Sequence, residues 1–374
     1  MADLMEFEAA IVSDADVFLR LLDDPDFDRT PFQSTEWLKP WFVSYQPDLD
    51  CIVVALSRRG DERPLLLLPL VRERRHGLRV WTLPDRGVSD YHAALVRRDF
   101  RPDGATASRM WRTLTEALPA ADMLSIERIL PESVARMGLA GQTRRSGFTA
   151  HALTIDSDFA TLREHRFDPS TGRRLVRMRR KLSNKGKLTF DLVTGPEAVA
   201  DLDSLLAWRR QRFQEFNDPA GDALQADFYR QLIRNGSIAH VGRLRLDGEL
   251  AGGCLGLVDS GRILLLAVAY DLRFANWAPG LLTLESCMEK ATELGLKVFD
   301  LTIGDETYKT VFGVDSVELE ELHLPLSLRG RAVRALVDLK PHVKRLLERT
   351  GLMRFLRRRA PAKVTAKPET DEEH

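Results

Sequence analysis

Cysteine is scarce: Cys51, Cys254 and Cys287 are the only three in 374 residues, and none forms a CxxC pair. That count supports neither a disulfide framework nor a zinc site. The eight histidines, at positions 76, 92, 151, 165, 240, 323, 342 and 374, show no pair at metal-ligand spacing, so no metal is expected. Long apolar runs are missing as well. The longest, residues 65–68 and 263–270, fall short of the roughly 18–20 residues that cross a membrane. Charge of one sign is not in excess, with 55 Lys and Arg against 55 Asp and Glu, which argues against a nucleic-acid coat protein; no DNA partner is expected. The opening Met1-Ala2-Asp3-Leu4-Met5-Glu6 is acidic where a signal peptide is basic and then apolar, so a cytoplasmic protein is expected. GxSxG, HExxH, the Walker loop and GxGxxG are all absent, which removes the commonest hydrolase, metalloprotease and nucleotide-binding signatures.

What is present is a globular chain of ordinary composition, 44% hydrophobic and 29% charged, long enough for two domains. The apolar periodicity predicts a strand over 6–12 and a helix capped by Ser13 or Asp14. A second helix follows over 32–45, then three strands over 51–56, 65–71 and 78–83. A helix over 109–118 and a strand over 123–128 come next, then another helix–strand pair ending near 155. The second half reads as a basic helix over 171–185, a strand over 188–193 and a helix starting at Pro196. Three more strands cover 238–246, 250–258 and 263–270, with Asp247-Gly248 as a hairpin turn. A helix over 281–294, a strand over 298–301, a loop over 302–313 and a strand over 317–324 complete the pattern. Residues 51–84 and 237–270 share a strand-turn-strand-turn-strand plan 186 residues apart, which points to a duplication. The fold class is therefore α+β: two related domains, 1–155 and 156–328, with mostly antiparallel sheets facing one another, and a basic helical tail over 329–374.

The zero net charge hides two basic clusters. Residues 163–187 hold ten Lys and Arg against Glu164 and Asp168; residues 329–359 hold eleven against Asp338 and Glu348. Clusters of this kind mark partner surfaces. In the tail, Val333, Leu336 and Val337, then Val343, Leu346, Leu347, Leu352, Met353, Phe355 and Leu356 recur among arginines and lysines. A basic amphipathic helix of that type suits an anionic membrane surface, the alternative being that it packs on the domain and exposes only its arginines.

One compact stretch carries the chemistry. A leucine-rich strand ends in Tyr270-Asp271, and Ala278-Pro279-Gly280 opens a helix whose free N–H groups suit a pyrophosphate. Downstream, residues 300–309 place Asp300, Asp305, Tyr308 and Lys309 in a polar loop at a strand end. These pieces, with Phe274-Ala275, Pro279-Gly280-Leu281-Leu282, Phe299-Asp300-Leu301-Thr302, Gly304, Tyr308-Lys309 and Phe312-Gly313, resemble the CelD/BcsL-type branch of the GNAT acetyltransferases, a branch related to the FemAB aminoacyltransferases. Phe32-Gln33-Ser34, Trp37, Leu68-Pro69-Leu70, Ser89-Asp90-Tyr91 and the Arg-rich residues 174–182 extend the resemblance over about residues 10 to 325.

The resemblance implies two tandem GNAT-like folds, acetyl-CoA or another acyl-CoA as co-substrate, and an amino-sugar acceptor, nucleotide- or polyprenyl-linked, destined for an exopolysaccharide. On that footing Ala269, Tyr270, Pro279, Gly280, Leu281 and Leu282 are the donor-binding residues. Asp300 or Asp305 would accept the amine proton, Tyr308 would protonate the departing thiolate and Lys309 would steady the oxyanion or bind an acceptor phosphate. Trp37, Asp90, Tyr91, Arg174 and Arg177 would meet the acceptor, with Trp37 equally readable as a core residue. Two alternatives stand beside this reading. One is a FemAB-like transferase using aminoacyl-tRNA. The other is a nucleotide-sensing pseudo-acyltransferase whose arginines, at 173, 174, 177, 179 and 180 or in the tail, hold a cyclic dinucleotide.

Overall fold

In the computed structural model, which describes residues 6–45, 50–212, 219–304, 306 and 308–336, the expected meanders form with small shifts of boundary. The amino half runs β1 (Phe7–Val12), α1 (Ala15–Leu22), β2 (Phe27–Asp28), α2 (Thr35–Tyr45), β3 (Asp50–Arg58), β4 (Pro64–Arg75) and β5 (Leu78–Thr82). It continues through β6 (Leu95–Arg97), α3 (Gly104–Ala117), β7 (Met123–Ile129), α4 (Pro131–Arg136) and β8 (Arg144–Thr154). The carboxyl half opens on α5 (Phe159–Arg166), α6 (Pro169–Ser183), β9 (Leu188–Val193), α7 (Val199–Arg212) and α8 (Pro219–Asn235). Then come β10 (Ala239–Leu246), β11 (Glu249–Asp259), β12 (Arg262–Tyr270), α9 (Pro279–Glu293), β13 (Val298–Ile303) and β14 (Asp315–Pro325). Asp14 caps α1 by accepting the N–H groups of Asp16 and Val17, settling the choice between Ser13 and Asp14. The short strands β2 and β6 and the helices α5 and α8 were not anticipated. Two-residue and three-residue strands leave no periodicity to read, and α5 keeps only Leu162 buried.

The plan repeats between the halves. β3-β4-β5 and β10-β11-β12 are antiparallel meanders. Each is followed by a helix, α3 or α9, and then by a strand, β7 or β13, that pairs in parallel with the meander's last strand. The expectation of two sheets facing one another is corrected. All the long strands belong to one sheet, in the order β1-β3-β4-β5-β7-β14-β8-β13-β12-β11-β10-β9. β14, from the end of the carboxyl half, lies between β7 and β8 of the amino half, and β8 pairs in turn with β13. The halves are thus joined by exchanged strands.

A shared core closes the other side of the junction. Trp37 and Trp41 of α2 join Leu202, Leu205 and Phe228 of α7 and α8 in one cluster, with the Trp37 and Phe228 rings edge to face at 4.8 Å. Two further clusters lie one in each half, around Trp81, Met110 and Trp111 and around Leu282, Met288 and Phe299.

The start of the basic tail is seated on protein. Residues 328–336 are helical, and Val333, expected on the lipid-facing side, packs instead against Leu78, Val80 and Met123. Gly330 permits this approach, since a Cβ there would stand 1.9 Å from the Asp122 carbonyl oxygen. Leu328 and Leu336 remain exposed. The expectations for 337–374 lie outside the described residues.

Candidate active site

Parallel strands β12 and β13 pair over only three residues, Arg262 with Val298, Ile263 with Phe299 and Leu264 with Asp300. Beyond them the strands part, for two local reasons. On β12, Leu255 of β11 faces Ala267 while Gly256 faces Leu265, so Leu266 is an extra, bulged residue. A bulge bends its strand and sharpens the twist. On β13 the register against β8 slips between Asp300 and Ile303, and Thr302 adopts φ 55°, costly for a β-branched residue. Its hydroxyl repays part of this by donating to the Leu265 carbonyl at 3.0 Å.

The gap between the strand ends is a cleft. Residues 265–268 of β12 and 301–303 of β13 form its walls, with Arg209 and Arg212 from the last turn of α7, and Glu306, Tyr308 and Lys309 from the following loop. Arg209 holds the bulge by donating to the Leu266 carbonyl at 3.2 Å. Past Leu264, β12 has no strand partner on the β13 side, so backbone N–H groups on that edge are available to a ligand oxygen.

The amino half meets β13 behind the cleft wall through the loop 85–91, which is folded around one carboxylate. Asp85 Oδ1 accepts the N–H groups of Gly87 at 3.1 Å and Ser89 at 2.9 Å, while Oδ2 accepts from Arg128. Burial raises the Asp85 carboxyl, but His92, Arg128 and the Ser89 N–H together outweigh it and hold the group below the usual carboxylate range. Three core side chains fix the same loop: Trp41 Nε1 donates to the Asp85 carbonyl, Trp37 Nε1 to Ser89 Oγ and Gln33 Nε2 to the Tyr91 carbonyl.

Held in this way, Tyr91 donates its phenol to Asp300 Oδ1 at 2.8 Å, and the Thr302 N–H reaches the same oxygen at 2.7 Å. Asp300 is 4% exposed, and burial pushes its carboxyl up to about 6 despite these bonds. Asp90, half-buried against the Thr302 side chain, is also pushed up to about 6, by burial first and by the carboxylates of Asp300 and Asp85. Two carboxyls raised towards neutrality beside a cleft suit proton transfer. Burial and the Glu306 charge push the Tyr308 phenol up to about 12, so it keeps its proton at neutral pH.

Several sequence expectations meet here. Asp90 and Asp300 come together, and Tyr308 lines the cleft, whereas Tyr91, expected to meet an acceptor, is 1% exposed and gives its phenol to the buried Asp300, so this pair holds the loop in place. Others are corrected. Trp37 is fully buried in the shared core and supports the loop from beneath instead of facing an acceptor. The Lys309 ammonium is committed, donating to the Ile303 carbonyl at 2.5 Å and pairing with Glu306 at 3.1 Å, so it braces the loop. Arg174 and Arg177 are exposed on α6 and take no part in lining the cleft. Asp305 lies outside the described residues. In the donor loop, Asp271 caps the 3-10 turn Leu272–Trp277. α9 then begins at Pro279 after Ala278 at φ 51°, with no side-chain cap. Its first-turn N–H groups keep the anion-binding character expected of them. Gly280 packs against Tyr270, where a Cβ would come within 3.1 Å of the ring. Ala269 and Leu282 are buried, so they contribute backbone only, and Leu281 is half-buried.

Thr302, Arg209, Arg212 and the Leu266 bulge were missed. Arginines in a last helical turn read as partners of the helix dipole, and a bulge is decided by the neighbouring strand's register. The loop closes at Gly313, whose φ is 63° and whose Cβ would stand 2.0 Å from the Arg166 carbonyl oxygen. Gly313→Ala is therefore expected to cost about 3 kcal/mol or more, read as a lowered thermal midpoint.

Comparison with known proteins places this geometry. Residues 169–310 match the family model described as an acetyltransferase (GNAT) domain. No curated protein matches the sequence. Among solved structures, FemX aligns with a TM-score of 0.61 at 11% identity, over 88% of this chain and 99% of that one. A conserved protein of unknown function from Bacteroides thetaiotaomicron aligns at 0.53 with 12% identity, over 87% and 100%. The C-terminal domain of a putative lysylphosphatidylglycerol synthetase from Agrobacterium fabrum aligns at 0.50 with 13% identity, over 87% and 98%. At such identities these likenesses concern the fold. Residues 169–310 are thus similar to a GNAT acetyltransferase domain, and the chain as a whole shares its α+β fold with FemX.

Proposed function

We propose that the protein is an N-acyltransferase that binds an acyl-CoA in the β12–β13 cleft and receives an amine presented from the amino half. The observation that carries this is the opening of a parallel strand pair at a bulge, directly beside two carboxyls with raised pKa values. The acceptor ammonium gives a proton to Asp90, through the Thr302 hydroxyl or a water, and the neutral nitrogen attacks the thioester carbonyl. Charge developing on the carbonyl oxygen is met by N–H groups on the open edge of β12. As the tetrahedral intermediate collapses, the C–S bond breaks and the thiolate takes the Tyr308 proton. Asp300 keeps Tyr91, and with it the 85–91 loop, in register with β13.

The GNAT match supports a CoA thioester, with its pyrophosphate at the start of α9. An amino sugar on a nucleotide- or lipid-linked exopolysaccharide precursor fits the carboxylates and hydroxyls at the junction. The likeness to FemX keeps aminoacyl transfer from aminoacyl-tRNA as a second reading. Calorimetry with acetyl-CoA separates them. Binding is expected, and Gly280→Asp, which sets a carboxylate against the pyrophosphate and a side chain against Tyr270, should weaken it at least 100-fold. Unchanged affinity would move the donor away from α9; no binding to the wild type, with retention of alanyl-tRNA, would favour the second reading.

A further inference from the structure

The basic cluster of residues 163–187 divides in the folded protein. Arg163 and Arg179 are spent on the buried Glu285 of α9, and Arg166 on Asp315. The rest of the helix is left over. Arg173, Arg174, Arg177, Arg180 and Lys181 are all exposed, and none has an ion-pair partner among the described residues. At 100° per residue these five project from a single side of α6, while Leu175 and Leu182 project from the opposite side into the core. Five like charges so close together repel one another, and the fold gains nothing evident from them. Apolar surface accompanies the charge. Val176, on the same helix, is 53% exposed, and Leu272, on the 3-10 turn against which α6 packs, is 65% exposed.

We propose that this face of α6, with Leu272 beside it, docks the protein on an anionic lipid surface. The five cations supply attraction to acidic headgroups, and Leu272 and Val176 enter the interface. Exposed aliphatic side chains decide between partners of like charge. Leucine and valine gain from burial among acyl chains, whereas a polynucleotide offers phosphates and bases that call for aromatic or guanidinium stacking. The proposal stands independently of the donor chemistry. It also gives the donor loop a place: Leu272 begins the segment leading to α9, so the docked enzyme would hold that loop close to the lipid.

The test uses the full chain and vesicles of phosphatidylcholine, with or without 30% phosphatidylglycerol, in a flotation assay. Wild-type protein is expected to float with the anionic vesicles only, and to be released by raised salt. Arg173→Gln/Arg180→Gln/Lys181→Gln should weaken that association about 10²-fold, at about fivefold for each neutralised charge. Leu272→Ser should weaken vesicle binding severalfold and leave binding of a short RNA duplex unchanged. All four side chains are exposed, so an unaltered thermal midpoint is expected and confirms folding. Equal flotation of the triple variant and the wild type would overturn the proposal. So would a triple variant that loses acetyl-CoA or RNA affinity while keeping its vesicles, since the cations would then serve a nucleotide.

Discussion

Asp90→Asn is expected to abolish most of the activity while making the protein more stable. The Asp90 carboxyl is raised to about 6 chiefly by burial, so its ionised form is disfavoured in the folded state. The sign follows directly. A carboxyl whose pKa is raised on folding adds stability below its unfolded value near 4, and that contribution is lost as pH rises through about 6. Above pH 6 the wild type carries this penalty, about 3 kcal/mol for a shift of this size, and the amide does not. Asp300→Asn should behave similarly. Both bonds to its carboxylate, from Tyr91 and from the Thr302 N–H, end on Oδ1, which an amide retains. The two gains should fall short of additive, because the Asp300 carboxylate helps to raise Asp90. Turnover should fall about 10²-fold or more for Asp90→Asn, the usual cost of removing a positioned base. The wild-type kcat/KM should climb through pH 6 and level off above it. Thermal melts at pH 5 and pH 8 with steady-state rates check this. A variant at pH 8 that is both active and no more stable would return Asp90 to a purely structural role.

Cutting the chain between residues 155 and 156 should leave neither piece folded. Residues 1–155 would keep β7 and β8 without the strand that separates them. β14 pairs with both, and its Leu319 and Leu322 are fully buried. Those two leucines alone represent about 3–6 kcal/mol. With the ladder to β8 over residues 315–321 and to β7 over 320–325, the loss approaches the 5–15 kcal/mol that stabilises a typical domain. The complementary piece, residues 156–374, would lack β8 beside β13 and expose the edge next to the cleft. Co-expressing the two pieces should restore a soluble complex, since only covalent continuity is lost. Size-exclusion chromatography and near-ultraviolet dichroism decide the matter. A monomeric 1–155 fragment with a cooperative melt would show that β14 is dispensable to the amino half.

The exchange of strands marks where reading the sequence stops. The two meanders were legible because each strand carries its own alternation or apolar run, as in 65–71 and 263–270, and because turns such as Asp247-Gly248 are local chemistry. β14 was legible as a strand for the same reason. Its neighbours were not, because its alternation is satisfied equally beside β8 alone or between β7 and β8. The site divides along the same line. Asp300, Tyr308, Asp90 and Tyr91 stood out by residue type in polar loops at strand ends. Lys309 stood out just as clearly, yet its ammonium is tied to Ile303 and Glu306. Trp37 looked like a sugar platform and is a pillar of the core.

The sequence by itself determined the α+β class, the repeated meander, the uncapped start of α9 and the presence of two carboxyl-bearing loops, since each depends on neighbours within a few residues. Only the tertiary structure decided that Asp90 and Asp300 share one site, because Tyr91 and Asp300 lie 209 positions apart and meet across the junction. It decided too that a cleft opens at Leu266, where an extra residue is defined only against β11, and that five arginines and lysines of α6 find no ion-pair partner among the described residues while Arg163 and Arg179 are consumed by Glu285. The reason is the same in each case: hydrogen bonds, ion pairs and strand register are properties of two partners, and a linear chain states only one of them at a time.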